Sequence, residues 1–246
     1  MNIVIFDTET TSLEKPFCYN IGYSIRNEYN EVLCEKDFVV EQIWHNLPLF
    51  STAYYAEKRP IYVKRMKARS VRMDKFGYIC REMTRDFARY EVKFAYAYNS
   101  SFDEKVFNFN CDWFKCNNPF ENIPVFDIRG FVHNFMITTD FYNWCEIHQA
   151  FTESGNYSTT AETIFRYLTQ TDFEEEHTAL ADSQIEAEIL FACASLGADL
   201  TVNYPTMRSI KRKIKKEVRI DTPEKIYTFK YDTMTISKDR TKIKIR

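Results

Sequence analysis

Asp7 and Glu9 in IVIFDTETTSL, Asp103 in AYNSSFDEKVF, and His177 with Asp182 in HTALADSQIEAEI are residues whose types fit phosphodiester chemistry. Four carboxylates can hold two divalent cations, and one imidazole can take a proton from water. Hydrolysis of a phosphodiester by two ions needs that set, with the ions about 3.5–4 Å apart. An all-oxygen donor set favours Mg²⁺ or Mn²⁺ over zinc. An imidazole titrating near about 6.5 suits a general base at neutral pH.

The neighbouring residues say how these side chains are positioned. Residues 2–6 are an apolar run that reads as a buried strand. Side chains on a strand alternate, so Asp7 and Glu9 project to one face and Thr8 to the other. Two adjacent carboxylates repel unless a cation lies between them. Residues 94–98 read as a second strand, after which Ser100 or Ser101 could cap a helix. On that helix Asp103, Val106 and Phe107 follow the i, i+3, i+4 pattern, which puts the acid on the apolar face. Asp182 heads a late helical stripe of Ile185, Ile189, Ala192 and Leu196. A carboxylate facing a core is costly unless it is paired or bound to metal. The ordinary alternatives are surface acids or helix caps and, for His177, a surface histidine after Glu174, Glu175 and Glu176.

The three segments resemble the motifs of the DEDD-type 3′–5′ exonucleases, in the subclass with histidine in the third motif. That family's D-x-E-T-T-G-L stands here as Asp7-Thr8-Glu9-Thr10-Thr11-Ser12-Leu13, with Ser12 in place of glycine. Its N-x-x-F-D stands as Asn99-Ser100-Ser101-Phe102-Asp103. Its H-x-A-x-x-D stands as His177-Thr178-Ala179-Leu180-Ala181-Asp182. Any one motif is weak; three in order, over about residues 1–197, are specific. The Ser12 departure removes no ligand and could stiffen the loop. The resemblance implies that Asp7, Glu9, Asp103 and Asp182 hold two Mg²⁺ or Mn²⁺ ions and that His177 is the general base. It implies that Thr10 and Leu13 line the 3′-terminal nucleotide, Leu13 as a wedge and Thr10 through hydrogen bonds, with Asn99 and Phe102 in similar roles. Leu13 and Phe102 fit a plain core equally well.

The element order predicts an α/β fold, a ribonuclease H-like mixed sheet flanked by helices, with a basic C-terminal extension. Strands are expected over 2–7, 17–26 and 31–40 as an antiparallel meander. Residues 41–93 read as helical and irregular. A strand over 93–98, a helix over 101–110, a short strand at Val125 and Phe126, and helices over 128–136, 159–169 and 178–196 follow. Asp127 reads as the cap of the helix after it rather than as a ligand. The expected division is a catalytic domain over 1–197 and an extension over 198–246. In the extension Met207, Ile210, Ile214 and Val218 make a helical stripe, and 226–231 and 241–245 alternate like strands.

Charge is segregated along the chain. Residues 57–93 carry 12 Lys+Arg against 5 Asp+Glu and residues 201–246 carry 14 against 5, although the whole chain is only −2. Basic surface beside a metal cleft suits a polyanion. Tyr54, Tyr55, Tyr62 and Tyr78 could stack on unpaired bases, or simply pack. The extension could grip nucleic acid, dock a polymerase or another protein, or pack on the domain. No apolar run reaches the about 20 residues that span a membrane. The chain opens into a strand rather than a signal peptide, and its seven scattered cysteines fit reduced thiols. A cytoplasmic location is therefore expected. Cys111, Cys116, Cys145 and His148 could make a tetrahedral zinc site or be core.

Together these readings predict a metal-dependent 3′–5′ exonuclease acting on single-stranded ends, DNA first, and releasing nucleoside 5′-monophosphates. An exoribonuclease of the same family differs in how the pocket treats the 2′-hydroxyl. A catalytically silent nucleic-acid-binding or docking protein is the alternative of another class.

Overall fold

A computed structural model describes residues 1–207 and, beyond them, the backbone of four strand segments. Strands β1 (Asn2–Thr10), β2 (Cys18–Asn27) and β3 (Val32–Val40) form the expected antiparallel meander. β4 (Arg72–Asp74) joins the far edge parallel to β3, and β5 (Val92–Ala97) and β6 (Val125–Asp127) extend the other side parallel to β1. The order is β4-β3-β2-β1-β5-β6, a mixed sheet. β1 and β2 lie inside it, which is why their sequences are apolar on both faces.

Helices cover both faces. Two one-turn helices, α1 (Glu41–Trp44) and α2 (Leu47–Phe50), precede α3 (Arg59–Lys67) and α4 (Phe76–Arg89). Then come α5 (Ser100–Phe114), α6 (Ile128–Phe135), α7 (Thr139–His148), α8 (Ala161–Thr169) and α9 (Ala179–Ser195). Phe6 packs on Phe107 of α5 at 5.8 Å and on Phe120 at 4.2 Å. Phe6 and Thr8 share a face of β1, so α5 lies on that face. α9 takes the opposite one, with Asp7 and Glu9. The core is aromatic because Phe and Tyr supply large buried area with few rotatable bonds.

Several expectations change. Residues 41–93 are more regular than their scattered apolar pattern implies, with Val71 and Phe76 buried on either side of β4. α7 was not foreseen, although Phe141, Trp144 and Cys145 give it a buried stripe. The residue preceding α5 is Asn99 in the left-handed region (φ 62) rather than Ser100 or Ser101, and its side chain makes no capping bond. Asp127 does cap α6, accepting from the Arg129 N–H at 2.9 Å. Leu196 closes α9 exposed, because it lies past the last turn against β2. Tyr62 is buried core, so it cannot stack on a base.

The chain divides into two units. One comprises 1–150 and 159–208, and the other 151–158 and 209–246. In the first, residues 198–207 pack on the domain. The Tyr96 hydroxyl donates to the Leu200 carbonyl, Tyr204 meets Phe131 edge-on at 4.9 Å, and the Met207 N–H donates to His133 Nδ1 at 2.9 Å. In the second, β7 (Lys216–Asp221) pairs with β8 (Ile226–Tyr231), and β9 (Met234–Ile236) with β10 (Ile243–Ile245), both antiparallel. Of the expected helical stripe, Ile210 and Ile214 lie outside the described residues, whereas Val218 lies on strand β7. Among the described residues no helix is long and apolar enough to cross a membrane.

Candidate active site

The site starts from a register. Across the β1–β2 pair, Asp7 stands opposite Gly22 and Glu9 opposite Asn20. A Cβ on Gly22 would come within 2.0 Å of the Leu180 nitrogen, so only glycine lets α9 start directly on β2. The first N–H groups of a helix lack intrahelical partners. Asn20 Oδ1 fills that role for Ala179, the first residue of α9, at 2.8 Å. The same oxygen accepts from the Tyr62 hydroxyl at 2.9 Å, while Asn20 Nδ2 donates to Asp37 Oδ1 at 2.6 Å and to the Phe38 carbonyl at 2.9 Å. One buried amide thus fixes the first turn of α9, with Asp182 in it, over the end of β1.

That joint brings Asp7, Glu9 and Asp182 together, with a carboxylate oxygen from each inside 4.8 Å of the others. Burial, and then the Asp103 and Glu175 charges, raise Asp7 well above the carboxylate range. Burial, followed by Asp7 and Asp182, does the same to Glu9, against a hydroxyl bond from Tyr19. Asp182 is pushed up to about 9 by burial and by Asp7. Its Oδ1 is buried without a hydrogen-bond partner. A carboxylate oxygen left so costs stability unless a cation or proton answers it. Three hard oxygen donors with an orphaned lone pair fit Mg²⁺ or Mn²⁺.

Asp103 comes from the other face. Thr8, the residue facing away from Asp7 and Glu9, donates its hydroxyl to Asp103 Oδ1 at 2.6 Å. Burial pushes Asp103 up to about 7 despite that bond. It stands outside the mutually close group of three, near enough for its charge to act on Asp7.

His177 sits in the left-handed region at φ 51, just before α9. Its ring stacks on Tyr55, centroids 4.4 Å apart and planes 13° from parallel. Glu175 Oε2 faces Nδ1 at 3.5 Å. Burial, and then the Lys58 ammonium, hold the imidazole below its ordinary range, so it is neutral at neutral pH. Tyr55 therefore packs against the histidine. Lys58 Nζ lies over the Tyr55 ring, 4.7 Å from its centroid, and donates to the Glu176 carbonyl.

The four expected nucleotide contacts are spread around this centre. Leu13 is 72 % exposed and so is not core. Thr10 is half-buried at the end of β1, and its hydroxyl donates to the Ser12 carbonyl at 3.4 Å. Ser12 closes the loop through Lys15, donating to its carbonyl at 3.0 Å. Asn99 is held by its N–H, which donates to Asp127 Oδ1 at 2.8 Å. Phe102 packs part-buried against the core. The basic segment is partly consumed internally: Arg65 pairs with Asp37 and Glu176, and Arg72 with Glu82.

Sequence reasoning missed four residues here. Gly22 and Asn20 carry no motif, though a glycine inside a strand signals close backbone approach. Glu175 passed as part of an acidic run, yet burial pushes it up to about 7. Glu186 is the fourth: it follows Asp182 by one helical turn, is buried, and accepts from the Tyr98 N–H at 3.2 Å. Its i+4 offset from Asp182 was the available signal.

The expected zinc set is not assembled. Cys145 is buried on α7, and His148 stacks there on Trp144 at 4.5 Å. Cys111 and Cys116 instead meet Cys80. Cys145 and His148 lie on α7, a helix not expected from the sequence, while Cys111 lies on α5 and Cys116 just past it.

No protein-family model matches the sequence, and no curated protein matches it. Solved structures match in three dimensions. The nuclease domain of 3′hExo, a DEDDh family member bound to rAMP, aligns with a TM-score of 0.58 at 16% identity, over 84% of this chain and 97% of that one. E. coli Exonuclease I in complex with a dA16 oligonucleotide aligns with a TM-score of 0.47 at 15% identity, over 79% of this chain and 40% of its own.

Proposed function

We propose, from the premise that this chain has the fold of the DEDDh-type 3′–5′ exonucleases, that it is a metal-dependent 3′–5′ exonuclease of single-stranded nucleic acid. The observation that carries the reading is the convergence of Asp7, Glu9 and Asp182, with Asp182 Oδ1 buried and unanswered, beside a neutral histidine. Asp7, Glu9, Asp103 and Asp182 would hold two Mg²⁺ or Mn²⁺ ions, Asp103 from the α5 side, where the Thr8 hydroxyl donates to it. When bound, such ions supply Lewis-acid stabilisation of the charge that develops on the phosphate.

The protein's own groups do the rest. His177 Nε2 takes a proton from the attacking water, and Glu175 keeps the remaining proton on Nδ1. Stacking on Tyr55 holds the ring plane. A base fixed this way needs no reorganisation when the water reacts. Leu13, exposed beside the end of β1, wedges against the terminal base, and Thr10, Asn99 and Phe102 line the same nucleotide. The product is a nucleoside 5′-monophosphate. The extension, with 14 Lys+Arg against 5 Asp+Glu over 201–246, holds the strand behind its end.

The test is degradation of 5′-labelled single strands of DNA and of RNA by the full chain. Stepwise shortening from the 3′ end, with nucleoside 5′-monophosphate released only when Mg²⁺ or Mn²⁺ is present, is the expected result. The two strands separate a deoxyribonuclease from a ribonuclease. Intact strands of both kinds, or internal cuts, would contradict the reading.

A further inference from the structure

Seven free cysteines are present, and three of them converge. Cys80 lies on α4, Cys111 near the end of α5, and Cys116 just past it. Lys115 ends α5 in the left-handed region, and the Cys116 N–H donates back to the Cys111 carbonyl at 3.1 Å. This turn folds Cys116 over Cys111, and the packing of α4 on α5 brings in Cys80. The three sulfurs lie within 4.8 Å of one another. Thiolates around one zinc, at bonds of about 2.3 Å, stand about 3.8 Å apart, so closing the set needs movements of an ångström or less.

We propose that Cys80, Cys111 and Cys116 form a three-thiolate site for a zinc-type divalent cation, with solvent as the fourth ligand. Two features support the donor set. It holds one thiol more than a disulfide uses. The group also opens on a cleft of about 950 Å³ that Cys80 and Cys116 line.

Gly77 borders Cys116 across the cleft. A Cβ there would sit 3.4 Å from the Cys116 Cβ and 3.9 Å from its sulfur, so the missing side chain leaves space beside the ligand. Binding releases the thiol protons to solvent and ties α4 to the end of α5. Asp103 is eight residues earlier on α5, about 12 Å along the axis at 1.5 Å per residue. The soft site is thus a clasp on the helix that presents one of the hard acids.

Co²⁺ added to the reduced, full chain reads the site. The expected result is a thiolate-to-cobalt charge-transfer band at one equivalent, bleached by Zn²⁺. Cys116→Ser, at a half-buried position, should lose most of its intensity, whereas Cys34→Ser and Asp7→Asn should keep it. Circular dichroism confirms that each variant is folded. A folded wild-type chain without the band overturns the proposal, and so does a band that survives Cys116→Ser unchanged. Either result leaves the carboxylate reading intact, because thiolates do not select Mg²⁺.

Discussion

Asn20, which caps α9, and Asp182, in the first turn of that helix, live under opposite rules. Around Asn20 every donor and acceptor of the amide is answered, by Ala179, Tyr62, Asp37 and Phe38. Asp37 there is a buried acid too, but the Asn20 amide and the Arg65 guanidinium oppose its burial, and it rises only to about 6. Around Asp182 the burial is similar and the company is hostile: other acids, and an oxygen with no partner. The first region is a joint, built to hold still. The second is stable only at the joint's expense, and its cost is recovered when something positive enters.

The difference can be broken from the active side first. Asp7→Asn keeps the volume and removes the charge nearest all its neighbours. Turnover should fall by at least about 10⁴-fold, since metal-borne charge stabilisation is worth several kcal/mol. Residual cleavage within tenfold of wild type, in matched Mg²⁺, would move the site elsewhere. His177→Ala should cost about 10²–10⁴ in turnover, the usual worth of a positioned base. Wild-type turnover should also fall as pH drops through the imidazole titration, below the ordinary histidine range because burial and Lys58 lower it. A variant without that acid limb, and a wild type with it, assigns the limb to His177.

Breaking the joint should act on stability. Asn20→Ala strands the Ala179 N–H and the Tyr62 hydroxyl, both buried, and leaves Asp37 with Arg65 alone. A loss of about 2–4 kcal/mol is expected, read by urea denaturation. A loss under about half a kcal/mol would mean that α9 is held by packing alone.

The smallest effect sharpens the comparison at a third buried group. Burial, then Arg129, push His133 down to about 4 from 6.5. Its Nδ1 accepts from Met207 and so must stay unprotonated. The unfolded chain therefore binds the proton first as pH falls. This contribution is complete above about 6.5 and is lost between there and about 4, at most about 3 kcal/mol. The raised acids of the carboxylate centre act in the opposite sense, gaining protons in the folded state. The difference between wild type and His133→Gln isolates the histidine. Denaturation at pH 7 and pH 5 should show that difference shrinking at pH 5.

Much of the placement of the candidate side chains was legible in the sequence, because strand alternation and helical spacing constrain local geometry. Asp7 and Glu9 share a face, and Asp182 lies in the first turn of α9, as spacing requires. What was not legible depends on contacts distant along the chain. Gly22 and Asn20 matter only because α9 returns to β2 after some 160 residues. Thr8 was read as facing away, and it does, yet it meets Asp103 there. Cys80 joins Cys111 through the packing of two helices, which no spacing rule within one of them encodes. Tyr62, read as a possible base platform, is core because α3 lies against the sheet.

The central claim is that the unanswered carboxylates are held together for divalent cations. Thermal melting of the wild type and of Asp7→Asn, without nucleic acid, across a Mg²⁺ titration against matched ionic strength in KCl, tests it most directly. The account predicts that Asp7→Asn melts higher than the wild type when no Mg²⁺ is present, and that only the wild type gains stability as Mg²⁺ rises. An equal gain in both proteins, or none in the wild type, would contradict it.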